Sequence, residues 1–225
     1  MNAFHFFATA ALVAAVTGAE GASLCETGRN QSPIDIRNTR VESLPGLNFD
    51  YSEVPLLLAN DGHTVRVRLK NAGHLQIGAT RYALDQFHFH TPGGDRIAGE
   101  EFPLAAHILH KSGSGQLLAV VVPFRTGAHN ALLEKLLPHI PGKADGNHTV
   151  DGKRVSAAEL LPSGKTYFRY TGSLTAAPCT EGVEWIVLKQ PAELSAAQLA
   201  LYKKRFADNI RGPQPLNQRV VLESN

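Results

Sequence analysis

Apolar and polar positions alternate in short runs along much of the first half of the chain: His63-Thr-Val-Arg-Val-Arg-Leu69, Gln86-Phe-His-Phe-His90, His107-Ile-Leu-His110 and Leu117-Leu-Ala-Val-Val-Val122. Successive strand side chains point to opposite faces, so a period of two predicts half-buried strands. Gly, Asn, Asp or Pro bounds each run, which predicts turns between them. Helical signals are fewer. Ser195 can cap a helix through Ala196 to Phe206, with its basic residues toward the C-terminal end, and Ala131 to Leu137 is a second, shorter candidate. No internal repeat or linker interrupts the pattern, so the expected fold is a single α+β, mainly β domain.

Composition narrows this without changing it. A chain of 225 residues with 43% hydrophobic composition can bury a core of its own. The formal charge is only +2 and the basic residues are scattered, so a phosphate backbone finds no footprint and no nucleic-acid partner is expected. Residues 1–19 lack Lys, Arg, Asp and Glu and hold an apolar run, Ala8 to Val16, before Thr17-Gly18-Ala19. This pattern predicts a secretory signal cleaved near Ala19, a mature domain over 20–225, and a periplasmic or secreted location with no membrane association after cleavage. The alternative, a membrane anchor, needs roughly 20 apolar residues, more than the run supplies. Cys25 and Cys179 are far apart and fit no metal-binding spacing. In an exported protein such a pair is expected to form one disulfide, two buried thiols being the alternative.

The candidate chemistry sits in the histidines. Alternation puts Gln86, His88 and His90 on one face and Phe87 and Phe89 on the other, so two imidazoles converge over an apolar back. One more imidazole from a neighbouring strand would give Zn²⁺ three nitrogens and leave one open position, the pattern of a catalytic site. His107 and His110 face opposite ways on a strand, and spacing alone leaves both open as the third ligand.

Seven motifs in order resemble the alpha-class carbonic anhydrases over Cys25 to Asn225. They are Gln31-Ser-Pro-Ile-Asp-Ile36, Asn60-Asp-Gly-His63, Gln86 to His90, Phe102-Pro through His110, Gly172-Ser-Leu-Thr175, Trp185-Ile-Val-Leu188, and a C-terminal pair, Asn209-Ile-Arg211 with Gln214 to Arg219. The resemblance implies a large, twisted, mostly antiparallel central sheet with small peripheral helices, a zinc cofactor, and reversible hydration of CO₂ to bicarbonate and a proton. It implies His88, His90 and His107 as the zinc ligands, with His110 outside the set. Gln86 and the backbone carbonyl of Asn209 would support two of these ligands. Thr175 would orient the zinc-activated water, and His63 would carry protons at the cavity mouth. Leu109, Val120, Leu174, Val183 and Trp185 would form the apolar wall that holds CO₂. The partner is thus a small molecule, with the chain itself a monomer or homodimer.

Two departures accompany the resemblance. The glutamate that in the family accepts the threonine hydroxyl's proton falls on Gly94, with Asp95 the nearest carboxylate. The glutamate that supports the third ligand falls on Ala105. The expectation is therefore a zinc enzyme of reduced activity. A zinc-binding but catalytically degenerate relative is the first alternative, and a cupin-type metal-binding β-barrel the second, although His90 is not followed by the Glu spacing a cupin needs.

Overall fold

The computed structural model describes residues 23–142, 144 and 146–225, so the expected signal, residues 1–19, lies outside the described residues. Strands β1 (Asp35–Ile36), β2 (Arg40–Glu42), β3 (Leu47–Tyr51) and β4 (Val54–Asn60) follow a short helix α1 (Leu24–Thr27). Then come β5 (Val65–Arg68), β6 (Gly73–Ile77), β7 (Thr80–His90), β8 (Arg96–Ile97), β9 (Glu100–Glu101), β10 (Leu104–Ser112) and β11 (Leu117–Thr126). Helix α2 (Ala131–Leu136) precedes β12 (Gly146–Val155), β13 (Tyr167–Ser173), β14 (Glu181–Leu188), β15 (Ala192–Leu194), helix α3 (Ala196–Lys203) and β16 (Leu222–Ser224). Both expected helices form, and the longer one opens on a capping box in which Ser195 accepts from the Gln198 amide and the Gln198 side chain reaches back. It ends at Lys203, short of the expected Phe206.

Thirteen strands join one sheet whose main path runs β12-β4-β5-β7-β10-β11-β14-β13-β16-β2. Most pairings are antiparallel, but β11 and β14 run parallel, as do β16 and β2. Strands β7 and β10 lie in the middle, each hydrogen-bonded on both sides, so side chains there are held by a ladder that cannot fray from an edge.

The sheet separates two apolar clusters. The larger gathers Leu56, Val67, Phe87, Phe89, Ile108, Val120, Phe124 and Ile186; the smaller gathers Ile34, Ala105, Ala119, Val121, Tyr170, Val183 and Trp185. Along β7 the larger cluster takes Tyr82 and Leu84 and then Phe87 and Phe89, a change of parity. The cause is a bulge: Leu109 of β10 pairs with Gln86 and His110 with Leu84, skipping Asp85. The extra residue turns Gln86, His88 and His90 toward the smaller cluster.

Candidate metal centre

His88 and His90 project from one face of β7, and His107 stands directly opposite His88 on β10. The three imidazoles offer ligand nitrogens that all lie within 4.8 Å of one another. His90 and His107 are buried, and His88 is partly buried. On the opposite face of β10, His110 meets the Tyr51 hydroxyl at 2.5 Å through Nε2 and stacks on that ring, so the structure separates it from the cluster.

Neighbouring oxygens decide which nitrogen of each ring is free. The Nδ1–H of His88 donates to Gln86 Oε1 at 3.0 Å, and that of His90 to the Asn209 carbonyl at 3.1 Å. These acceptors leave both Nε2 atoms as unprotonated lone pairs, which face each other at 3.0 Å. Burial holds His88 and His107 well below the usual imidazole range and His90 down to about 4. Two neutral lone pairs converging this closely repel unless a cation sits between them, so the donor set fits a tetrahedral divalent ion such as Zn²⁺. At His107 the buried nitrogen without a hydrogen-bond partner is Nε2.

Asn209 ties several parts of the site together. Its side chain accepts from Thr91 N at 2.8 Å and donates to the carbonyls of Phe89 at 3.1 Å and His63 at 2.8 Å. His63 itself is exposed, on a turn where Asp61 accepts from its amide and from that of Thr64. Thr175 lies partly buried in the bend after β13, and its hydroxyl makes no hydrogen bond among the described residues. That bend is anchored next door: Trp185 Nε1 donates to the Ser173 carbonyl at 3.1 Å, and Leu174 N to Thr180 O at 2.9 Å.

Leu109, Leu174, Val183 and Trp185 all belong to the smaller cluster or pack against it, on the face that carries the histidines. Val120 does not. It pairs with Ile108 across β10 and β11 and lies in the larger cluster behind the sheet, whereas Ala119 and Val121 take the site face. Three consecutive valines give no alternation from which to choose, and the register of the pair decides the matter.

The two expected departures are visible. Gly94 has φ +88°, and a Cβ there would lie 2.6 Å from Ile210 Cδ1, so the backbone is set for glycine. Asp95 does not replace the missing partner of Thr175: its Oδ1 accepts from Ile34 N and from the Tyr170 hydroxyl, both at 2.9 Å. Ala105 is buried and supplies no polar atom to His107.

Arg211 lies in the C-terminal motif, and the sequence alone predicts no role for it. Its guanidinium donates to the Ser32 carbonyl and Gln31 Oε1, each at 2.7 Å, and to Cys179 Sγ at 3.2 Å. It thereby joins the segment before β1 to the disulfide Cys25–Cys179 beside the Thr175 bend. An arginine among loop residues carries no sequence signal for this use.

A family model described as eukaryotic-type carbonic anhydrase matches residues 18–225. A carbonic anhydrase of Klebsiella pneumoniae is 42% identical over 202 residues, covering 88% of this chain and 82% of that protein. One from Neisseria gonorrhoeae is 38% identical, covering 89% and 79%. The structure of Photobacterium profundum alpha-carbonic anhydrase superposes with a TM-score of 0.84 at 38% identity, covering 89% of this chain and 92% of that one. Family model, sequence relatives and fold agree with the histidine cluster: the chain belongs to the eukaryotic-type carbonic anhydrases, whose reaction is the reversible hydration of CO₂.

Proposed function

We propose that this protein is exported, binds Zn²⁺ through Nε2 of His88, Nε2 of His90 and Nδ1 of His107, and hydrates CO₂ to bicarbonate and a proton at that centre. The observation that carries the reading is the 3.0 Å approach of two unprotonated Nε2 atoms, with a third imidazole nitrogen within 4.8 Å. Zn²⁺ held by three neutral imidazoles with one open position lowers the pKa of water there to about 7, which supplies a nucleophile at neutral pH.

The chain's own residues do the rest. Gln86 and the Asn209 carbonyl fix the tautomers of His88 and His90, so both rings present a lone pair without rearrangement. Leu109, Val121, Leu174, Val183 and Trp185 form an apolar surface suited to a nonpolar gas and unfavourable for the departing anion. Thr175, with its hydroxyl uncommitted, orients the attacking water. His63, exposed on a turn tied through Asn209 to His90, carries the released proton to buffer. The disulfide supports export, and no helix among the described residues is long and apolar enough to cross a membrane.

A second reading, a zinc protein with little hydration activity, is favoured by one observation: neither Gly94 nor Ala105 offers a carboxylate. Metal analysis and stopped-flow CO₂ hydration on one sample separate the two. Stoichiometric zinc with hydration above buffer supports the enzyme; stoichiometric zinc without it supports the second reading; no zinc overturns both.

A further inference from the structure

Of the five buried side-chain nitrogen or oxygen atoms without a hydrogen-bond partner among the described residues, four fall between residues 91 and 107, and two of these are Asp95 Oδ2 and His107 Nε2. One is an acceptor, and the other must carry the proton if Nδ1 binds metal. Leaving such groups buried and unpaired is unfavourable.

A chain of contacts links the two residues. Asp95 accepts from the Tyr170 hydroxyl. The Tyr170 ring stacks on Trp185 at 5.8 Å with 15° between planes, and Trp185 meets His107 edge-on at 5.1 Å. From the other side, the loop holding Asp95 packs on Ala105, because a Cβ on Gly93 would lie 3.2 Å from Ala105 Cβ. Ala105 is two residues before His107 on the same face of β10. On this side of Asp95 and His107, Gly93, Gly94 and Ala105 carry little or no side chain. Asp95 is only 3% exposed and receives two hydrogen bonds through Oδ1, yet burial still pushes it up to about 6, as expected of a carboxylate short of a donor.

We propose that Asp95 is the positioning residue for His107, its free oxygen Oδ2 accepting the His107 Nε2 proton through one buried water. The carboxylate that Ala105 cannot supply along the strand comes instead from the neighbouring loop. The inference rests on the zinc reading above. A water there has a donor on one side and an ionised acceptor on the other, which suits a buried site. The bridge fixes the His107 tautomer and raises the basicity of Nδ1, as a carboxylate beside a metal-binding imidazole does.

The test is zinc release into excess chelator from the zinc-loaded protein, after metal analysis has established that the wild type takes up zinc. Asp95→Asn keeps an oxygen for Ile34 and Tyr170 but turns the other position into a donor, and should speed zinc release about 10- to 100-fold. Adding Ala105→Glu to that variant should recover most of the loss. Tyr170→Phe removes a hydrogen bond from Asp95 while leaving the carboxylate; it should lower thermal stability and change release by much less. Equal effects of Asp95→Asn and Tyr170→Phe, or wild-type release from folded Asp95→Asn, would overturn the proposal. Nitrogen-detected NMR of the wild type is a second measurement that does not depend on any variant folding, nor on zinc being bound. A His107 Nε2 proton in slow exchange supports the bridge, and its absence overturns it.

Discussion

The backbone carbonyl of Asn209 accepts the Nδ1 proton of His90 at 3.1 Å, while the side chain of the same residue donates to the His63 carbonyl at 2.8 Å. One residue thus sets a ligand's tautomer and anchors the turn carrying the expected proton carrier. Asn209→Ala keeps the first bond and loses the second, together with those to Thr91 N and Phe89 O. Proton export should suffer more than zinc affinity, seen as a several-fold lower kcat that is recovered with high concentrations of imidazole buffer. An equal loss with and without buffer would assign Asn209 to ligand support alone.

His88→Ala should abolish both stoichiometric zinc and CO₂ hydration, because two imidazoles make an incomplete site. Full zinc content in that variant by metal analysis would show that the ligand set is wrong.

His110→Ala should keep zinc and lose about 2–4 kcal/mol of stability, from the packing and the Tyr51 contact it removes. It should also flatten the acid limb of the stability curve. Burial lowers folded His110 to about 3 from the ordinary 6.5, so below pH 6.5 the unfolded chain binds a proton that the folded chain refuses. That contribution, of order 5 kcal/mol in full, is present above pH 6.5 and disappears as pH falls toward 3. Denaturant unfolding of metal-free protein at several pH values measures it, and an unchanged slope in the variant would contradict the assignment.

Reducing the Cys25–Cys179 bridge, which closes a separation of 154 residues, should cost about 5 kcal/mol in the chain-entropy model. Hydration should fall as well, since Arg211 and Gln31 hold Cys179 beside the Thr175 bend. Denaturation and rate measurements with and without reductant test both.

Gly94→Glu looks from the sequence like a simple repair. With φ at +88° and Ile210 in the way, it should instead lose about 1–3 kcal/mol. It should raise kcat/KM only when combined with Ile210→Ala, and a gain from the single substitution would show that the loop relaxes freely.

Much of this was legible in the residues because burial on one face leaves a period-two trace. Gln86, His88 and His90 fell on one side as expected, and Ser195 opened its helix. The family resemblance puts Val120 on the site face, and consecutive valines carry no phase that would correct it; the bulge at Asp85 shows only as two polar residues in succession, Asp85 and Gln86, between two regular alternations. The third ligand needed the family resemblance, since His107 and His110 are equally plausible as letters and differ only in the face they take. The role of Asp95 escaped for another reason: its partners Ile34 and Tyr170 are far away along the chain and meet it only through the fold.

His107 faces His88 across two central strands, so the ligand set exists only at one alignment of β7 with β10. A slip of one residue would exchange His107 for a neighbour and turn its ring to the back of the sheet. A metal ion that binds only the correct alignment withdraws that form from the mixture as it appears, stabilising it by the logarithm of metal concentration over dissociation constant. Zinc present during refolding would then act as a proofreader of strand pairing, raising the yield of active protein rather than merely completing a finished one.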